Sequence, residues 1–146
     1  TLLLEVYDLF FSHVESHHKT LELILPDEML PTVTLDPDRI EQVLTILIDN
    51  AIAYTPDDTL IRLELIHLGH AVEIHVTDNG PGITAQDKTQ VFKRFYRQDA
   101  SRHDSKHAGL GLSIAYEIIR LHHGTLRLED VPSGGCLFII TLPLKK

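Results

Sequence analysis

Apolar residues along this chain recur at two spacings. From Leu2 to Ser16 they fall at helical intervals, with Leu3, Val6, Phe10 and Val14 on one face. The same interval returns from Pro37 to Tyr54, where Ile40, Val43, Leu44, Leu47, Ile48 and Ala51 make a stripe. Asp36-Pro37 opens this helix: a capping side chain, then a proline where no N–H is needed. Pro56 and the two aspartates after it close it. A third helix is predicted over Leu110 to His123, with Ile114, Ile118 and Leu121 at helical spacing. Between the helices the period drops to two. Strands are predicted over Thr20 to Leu25, Leu60 to Leu68, Ala71 to Thr77, Thr125 to Glu129 and Cys136 to Leu142, with a short one at Thr32 to Leu35. Tight turns at Gly69-His70 and across Pro132, Gly134 and Gly135 make hairpins of the later pairs.

The order is helix, two strands, helix, two strands, loop, helix, two strands. Hairpins carrying one helical layer predict an α/β (α+β) two-layer sandwich. A doubly wound sheet is excluded, because helices do not alternate with single strands.

Composition narrows the picture. The chain has 146 residues, 43% of them apolar, which suits one globular domain. Its net charge of −8 argues against a nucleic-acid partner and an anionic membrane surface. A nucleotide is still compatible, since one magnesium ion offsets several phosphate charges. The single cysteine, Cys136, allows no internal disulfide, and its apolar neighbours predict a buried, inert thiol. No apolar run reaches the length of a membrane span. The abrupt start on TLLLEVYDLFF is that expected of a piece cut from a larger protein.

Three polar or glycine-rich breaks interrupt the apolar pattern. The first, DNAIAYTP, puts Asn50 close to the core-facing stripe of the second helix. An amide there needs a partner, and its oxygen suits magnesium; a hydrogen bond to a neighbouring loop would satisfy it as well. Tyr54, one turn on, could stack on a planar base or simply cover the core edge. The second break is DNGPGI, Asp78 to Ile83. Asp78 ends a strand with a carboxylate able to accept from an exocyclic amine, and Gly80 and Gly82 let backbone pass beneath a ligand. Alone, the string is equally a hairpin corner. The third, GLGLS, Gly109 to Ser113, opens a helix with exposed amides that favour anions. Neither a dinucleotide fingerprint nor a P-loop is present.

Before that third break, Lys93, Arg94, Arg97 and Arg102 concentrate positive charge, and Arg97 to Lys106 reads as a lid able to close over phosphates. A solvated loop is the plainer reading of the same residues. The ten histidines show no metal-ligand spacing, and Ser113 lacks the setting of a nucleophile.

In this order the blocks resemble the catalytic, ATP-binding (HATPase) domain of bacterial two-component sensor histidine kinases. The wider superfamily includes gyrase, the Hsp90 chaperones and the MutL proteins. The resemblance runs from about Thr20 to Leu144. It covers an asparagine box (DPDRIEQVLTILIDNAIAYTP), a first glycine box (DNGPGI) and a phenylalanine box (VFKRFYRQD). A second glycine box (HAGLGLSIAYEIIRLHHGTL) and a terminal hairpin (SGGCLFIITLPL) follow.

The resemblance implies a Bergerat-type ATP-binding fold over residues 20–146, a mixed sheet against about three helices. Residues 1–19 would be a helical lead-in from a dimerisation domain. It implies ATP and magnesium as cofactors, with Asn50 as the metal ligand and Asp78 on the adenine amine. Tyr54 and Ile83 would line the base, Gly80 and Gly82 would shape its floor, and Phe92 would tether the lid. Gly109, Leu110, Gly111 and Leu112 would bring the helix start to the phosphates. Arg97 would join Asn50 in catalysis, touching the phosphates or the phosphoacceptor domain. The reaction implied is transfer of the γ-phosphoryl group to a histidine on a separate dimerisation domain, which then serves a response regulator. The implied parent is a homodimer and a membrane-anchored sensor. This piece would be its cytoplasmic, monomeric catalytic domain, in contact with neither nucleic acid nor membrane.

The chain departs from the family pattern at four places. Ile46 stands where an asparagine is usual, Ala53 where a lysine or arginine is, and His107 where a glycine is. His123-Gly124 replaces a glycine pair. A phosphoacceptor motif of the HELRTP kind is missing. These departures motivate an alternative: a nucleotide-binding regulatory or pseudo-kinase module. An anti-sigma serine kinase shares the fold, but the phenylalanine box and the form of the lid favour histidine.

Overall fold

The computed structural model describes residues 2–27, 35–55, 57–79, 111–131 and 135–144, with the side chains at 2, 3, 54 and 130 outside that description. Helix α1 spans Leu2–Ser16, strand β1 Thr20–Ile24 and helix α2 Pro37–Tyr54. Strands β2 (Leu60–His67) and β3 (Ala71–Asp78) follow. After them come helix α3 (Gly111–Leu121) and strands β4 (Thr125–Asp130) and β5 (Cys136–Pro143). Helix α2 has the bounds its sequence predicts. Its cap is Asp36, in extended backbone, whose carboxylate accepts from the N–H groups of Asp38 and Arg39 at 3.1 and 3.4 Å.

The strands form one sheet in the order β1-β2-β3-β5-β4. β1 and β2 are parallel, and every other pair is antiparallel. Parallel neighbours need a crossover, and α2 lies between β1 and β2 in the chain. β3 is central. Its register places Asp78 opposite Ile61 on one side and Cys136 on the other.

One core joins the layers. Val6, Phe10 and Val14 of α1 enter it, with Ile40, Val43, Leu44, Leu47 and Ile48 of α2. Alternate strand residues meet them: Ile61 and Leu63, Val72, Ile74 and Val76, then Phe138, Ile140 and Leu142. Cys136 is buried there and is in no disulfide. The expected two-layer sandwich, a mixed sheet against three helices, is therefore found.

Two details differ from the pattern. On α3 the buried residues are Ala115, Ile118 and Ile119, whereas Ile114 is 39% and Leu121 65% exposed. Ile118 belongs to both stripes; packing turns the Ala115/Ile119 side inward, where a small residue permits close approach to the layer beneath. Residues 32–34 of the expected short strand lie outside the described residues. Leu35 is in no strand and packs against the core.

Candidate nucleotide site

Asp78 is the last residue of β3 and shares the parity of Val72, Ile74 and Val76, so its side chain leaves the sheet on the helix-covered face. Asp78 is only 9% exposed, one of few polar residues so buried among those described. Its backbone is held from two sides. Toward β5, a Cβ on Gly135 would lie 2.0 Å from the Asp78 carbonyl oxygen, so only glycine fits there; its φ of +102° makes the same demand. Toward β2, the next residue, Asn79, is bonded to Leu60 through both its N–H and its side chain.

Asn50 is partly buried on α2, one turn beyond Ile46. The start of α3 meets α2 at Ile46: a Cβ on Gly111 would lie 3.2 Å from Ile46 Cγ2. Leu112 follows and packs against the core. Helix α2 also lies against β3. The three breaks of the sequence therefore meet around one helix. α2 carries Asn50, is touched by the glycine start of α3, and packs on the strand that ends in Asp78. An open cavity of about 380 Å³ lies along α2 between Asp38 and Ile46, lined also by Glu41, Gln42 and Thr45.

Tyr54 ends α2, with its side chain outside the description. Gly80, Gly82, Ile83, Phe92, Arg97, Gly109 and Leu110 lie outside the described residues, as does the expected lid. Two features were missed by sequence reasoning. Gly135 reads as an ordinary turn glycine, and only the fold sets it against Asp78. Asn79 reads as part of the DNG turn, although an Asx residue at a strand end is a signal for side-chain-to-backbone bonding.

The residues present fit a magnesium nucleotide. Asn50 offers a hard amide oxygen, and magnesium takes few protein ligands beside phosphates and water. Among the described residues no three His, Cys, Asp or Glu side chains converge on a metal.

A fold with these parts defines a class. A family profile described as histidine kinase-, DNA gyrase B- and HSP90-like ATPase matches residues 35–146. The chain belongs to this family. Within it, the chain is the ATP-binding catalytic domain of a sensor histidine kinase, as its relatives show. It is 40% identical over 128 residues to the sensor histidine kinase TmoS of Ectopseudomonas mendocina, covering 86% of this chain and 13% of TmoS. Against the adaptive-response sensory kinase SasA of a Nostoc species it is 37% identical over 145 residues, 98% of this chain and 35% of SasA. The chain thus spans about a third of these curated relatives, or less. The catalytic domain of histidine kinase ThkA, solved nucleotide-free, superposes with a TM-score of 0.83 at 30% identity, covering 98% of this chain and 90% of that one. ThkA has also been solved in complex with the response regulator protein TrrA (TM-score 0.81, 30% identity, covering 99% of this chain and 40% of that one).

Proposed function

We propose that this chain binds ATP with magnesium between α2, the end of β3 and the start of α3. It presents the γ-phosphoryl group to a histidine of a separate dimerisation domain. The observation that carries the reading is Asp78: a carboxylate 9% exposed, at the end of the central strand, turned toward the helix layer. Such a group accepts a hydrogen bond from the adenine amine and discriminates against bases lacking a donor there. Asn50 supplies one oxygen to magnesium. Bound magnesium offsets phosphate charge. The glycine start of α3 lets the helix lie close to α2 and turns its first N–H groups toward phosphate. Tyr54 and Ile83 cover the base over a floor shaped by Gly80 and Gly82. Gly109, Leu110 and Leu112 set the helix entrance, Phe92 anchors the lid, and Arg97 meets the phosphates or the incoming domain. Imidazole is itself a nucleophile, so positioning and charge are the chain's main contributions.

The acceptor histidine belongs to a dimerisation domain of the parent, which passes the group to a response regulator. The ThkA–TrrA complex of a relative supports that partnership. Among the described residues no helix is long and apolar enough to cross a membrane. We read the chain as a monomeric cytoplasmic domain of a homodimeric, membrane-anchored sensor.

Calorimetric titration with and without magnesium tests the site. Asp78→Ala is expected to weaken ATP binding by about 1.5–3 kcal/mol, the range of a hydrogen bond involving a charged group. Asn50→Ala should remove mainly the magnesium-dependent part of the affinity. Unchanged ATP affinity in Asp78→Ala would reject the adenine role. A second reading, a regulatory module with weak transfer, is favoured by Ile46, whose methyl group occupies the contact with the α3 start. Phosphorylation of the parent's own histidine from radiolabelled ATP would reject it.

A further inference from the structure

The register of β2 and β3 pairs Ile61 with Asp78, so the next pair in a continued ladder would be Leu60 with Asn79. Half of that pair is conventional: the Asn79 N–H donates to the Leu60 carbonyl at 3.3 Å. The other half is not. The Leu60 N–H donates to the Asn79 side-chain oxygen Oδ1, at 2.8 Å. In a hydrogen-bonded antiparallel pair that acceptor would be a main-chain carbonyl. The side chain therefore stands in for the backbone in the last rung. It leaves the main chain free to depart from the sheet one residue after Asp78, while both strands stay in register through Asp78 itself.

We propose that Asn79 is a positioning residue for base recognition: its side chain closes the β2–β3 ladder and so holds Asp78 at the angle required by the base. This rests on the reading of Asp78 as the adenine acceptor. Two further facts support it. The opposite side of Asp78 is already closely packed, since Gly135 lies on its carbonyl with no room for a Cβ. The Asn79–Leu60 bond completes the clamp on the β2 side. The bond is also solvent-exposed. Water can replace it when it is lost, so its removal costs little folding stability, whereas the direction of the neighbouring carboxylate depends on it.

The role separates from a merely structural one by rescue and by base selectivity. Asn79→Leu keeps the side-chain size and removes the acceptor. Asn79→Asp keeps an oxygen at the same reach. Binding of ADP and of GDP to the full chain is measured by calorimetry, alongside hydrogen exchange at the Leu60 amide and the melting temperature. Asn79→Leu is expected to lose about tenfold in ADP affinity, the worth of one well-made hydrogen bond, and to narrow the ADP-over-GDP preference. Its Leu60 amide should exchange faster, with little change in melting temperature. Asn79→Asp should retain the preference and the protection. An unchanged ADP-over-GDP preference in Asn79→Leu, or equal behaviour of the two variants, overturns the inference. Asp78→Ala is measured in parallel. If it keeps full ADP affinity, the adenine reading itself falls; if it loses affinity while Asn79→Leu does not, only the positioning role falls.

Discussion

On the sheet face opposite the core, the Glu73 carboxylate gathers partners from three strands. His75 Nε2 lies 2.9 Å from Oε1 on the same strand, the Thr141 hydroxyl donates to Oε2 at 3.3 Å, and Arg127 Nη2 lies 3.6 Å from Oε2. The His75 hydrogen bond holds the Glu73 carboxyl below its ordinary value of 4.5, helped by the charges of His75 and Arg127 and by Thr141, against the effect of burial. A carboxyl held low in the folded state binds its proton more readily when unfolded. Its contribution to stability is therefore present above the ordinary value and is lost as pH falls from there through the lowered one. Melting temperature against pH should accordingly fall below about pH 4.5, and Glu73→Gln should flatten that limb. An acid limb identical to wild type would remove Glu73 from the account. Glu73 and His75 share β3, but Arg127 and Thr141 come from β4 and β5, so the full cluster could not be read from spacing. Asp78 could, because a carboxylate directly before a glycine turn is a local pattern.

Two of the three described helices end in the same way. At the end of α1, His18 N–H donates to Glu15 O at 3.0 Å and Lys19 N–H to Val14 O at 3.3 Å. At the end of α3, His123 N–H donates to Arg120 O and Gly124 N–H to Ile119 O, both at 3.0 Å. Both are Schellman closures, with a histidine at the left-handed position: φ is +61° at His18 and +63° at His123. A side chain there costs about 1 kcal/mol in backbone strain. His18→Gly and His123→Gly are each expected to stabilise by about 0.5 kcal/mol, since glycine's greater unfolded freedom offsets part of the relief. Gly124 is the reverse case. A Cβ there would lie 2.2 Å from Thr141 O, so Gly124→Ala should destabilise strongly. Urea unfolding of the three variants checks the pattern; a loss of stability in both glycine variants would contradict it. The neighbouring His122 ties α3 back to α2. Its Nδ1 donates to Ile118 O at 2.9 Å and its Nε2 accepts from the Asp36 N–H at 3.1 Å, a pairing that selects one neutral tautomer. The sequence marks the histidine pair and the Asp36 cap, but not that they meet across 86 positions.

Across the whole molecule, α1 is as much a part of the core as α2. Val6 is 1%, Phe10 9% and Val14 0% exposed, within the same cluster as the sheet residues. Phe10→Ala should cost about 3 kcal/mol, the usual loss for a buried aromatic ring, and lower the melting temperature by about 10 °C. Calorimetry should show one transition moved downward. A second transition, with the remainder melting as before, would mean that α1 folds apart from the sheet.

By itself the sequence determined the elements, the two-layer class and the family. Periodicity records which face of each helix or strand is apolar, and short motifs such as DNGPGI record local backbone demands. Helix α2 was legible to the residue because its stripe, cap and closing proline agree. Asn50, Asp78 and Gly111 were legible as candidates because each sits in a polar or glycine-rich break of the apolar pattern. Only the tertiary structure decided the strand order, the rotation of α3 that exposes Ile114 and Leu121, and the contacts that hold Asp78 in place. Gly135, Leu60 and Ile46 touch their partners through a sheet register and a helix crossing. Those geometries are set by packing the whole core at once, and no window of sequence contains them.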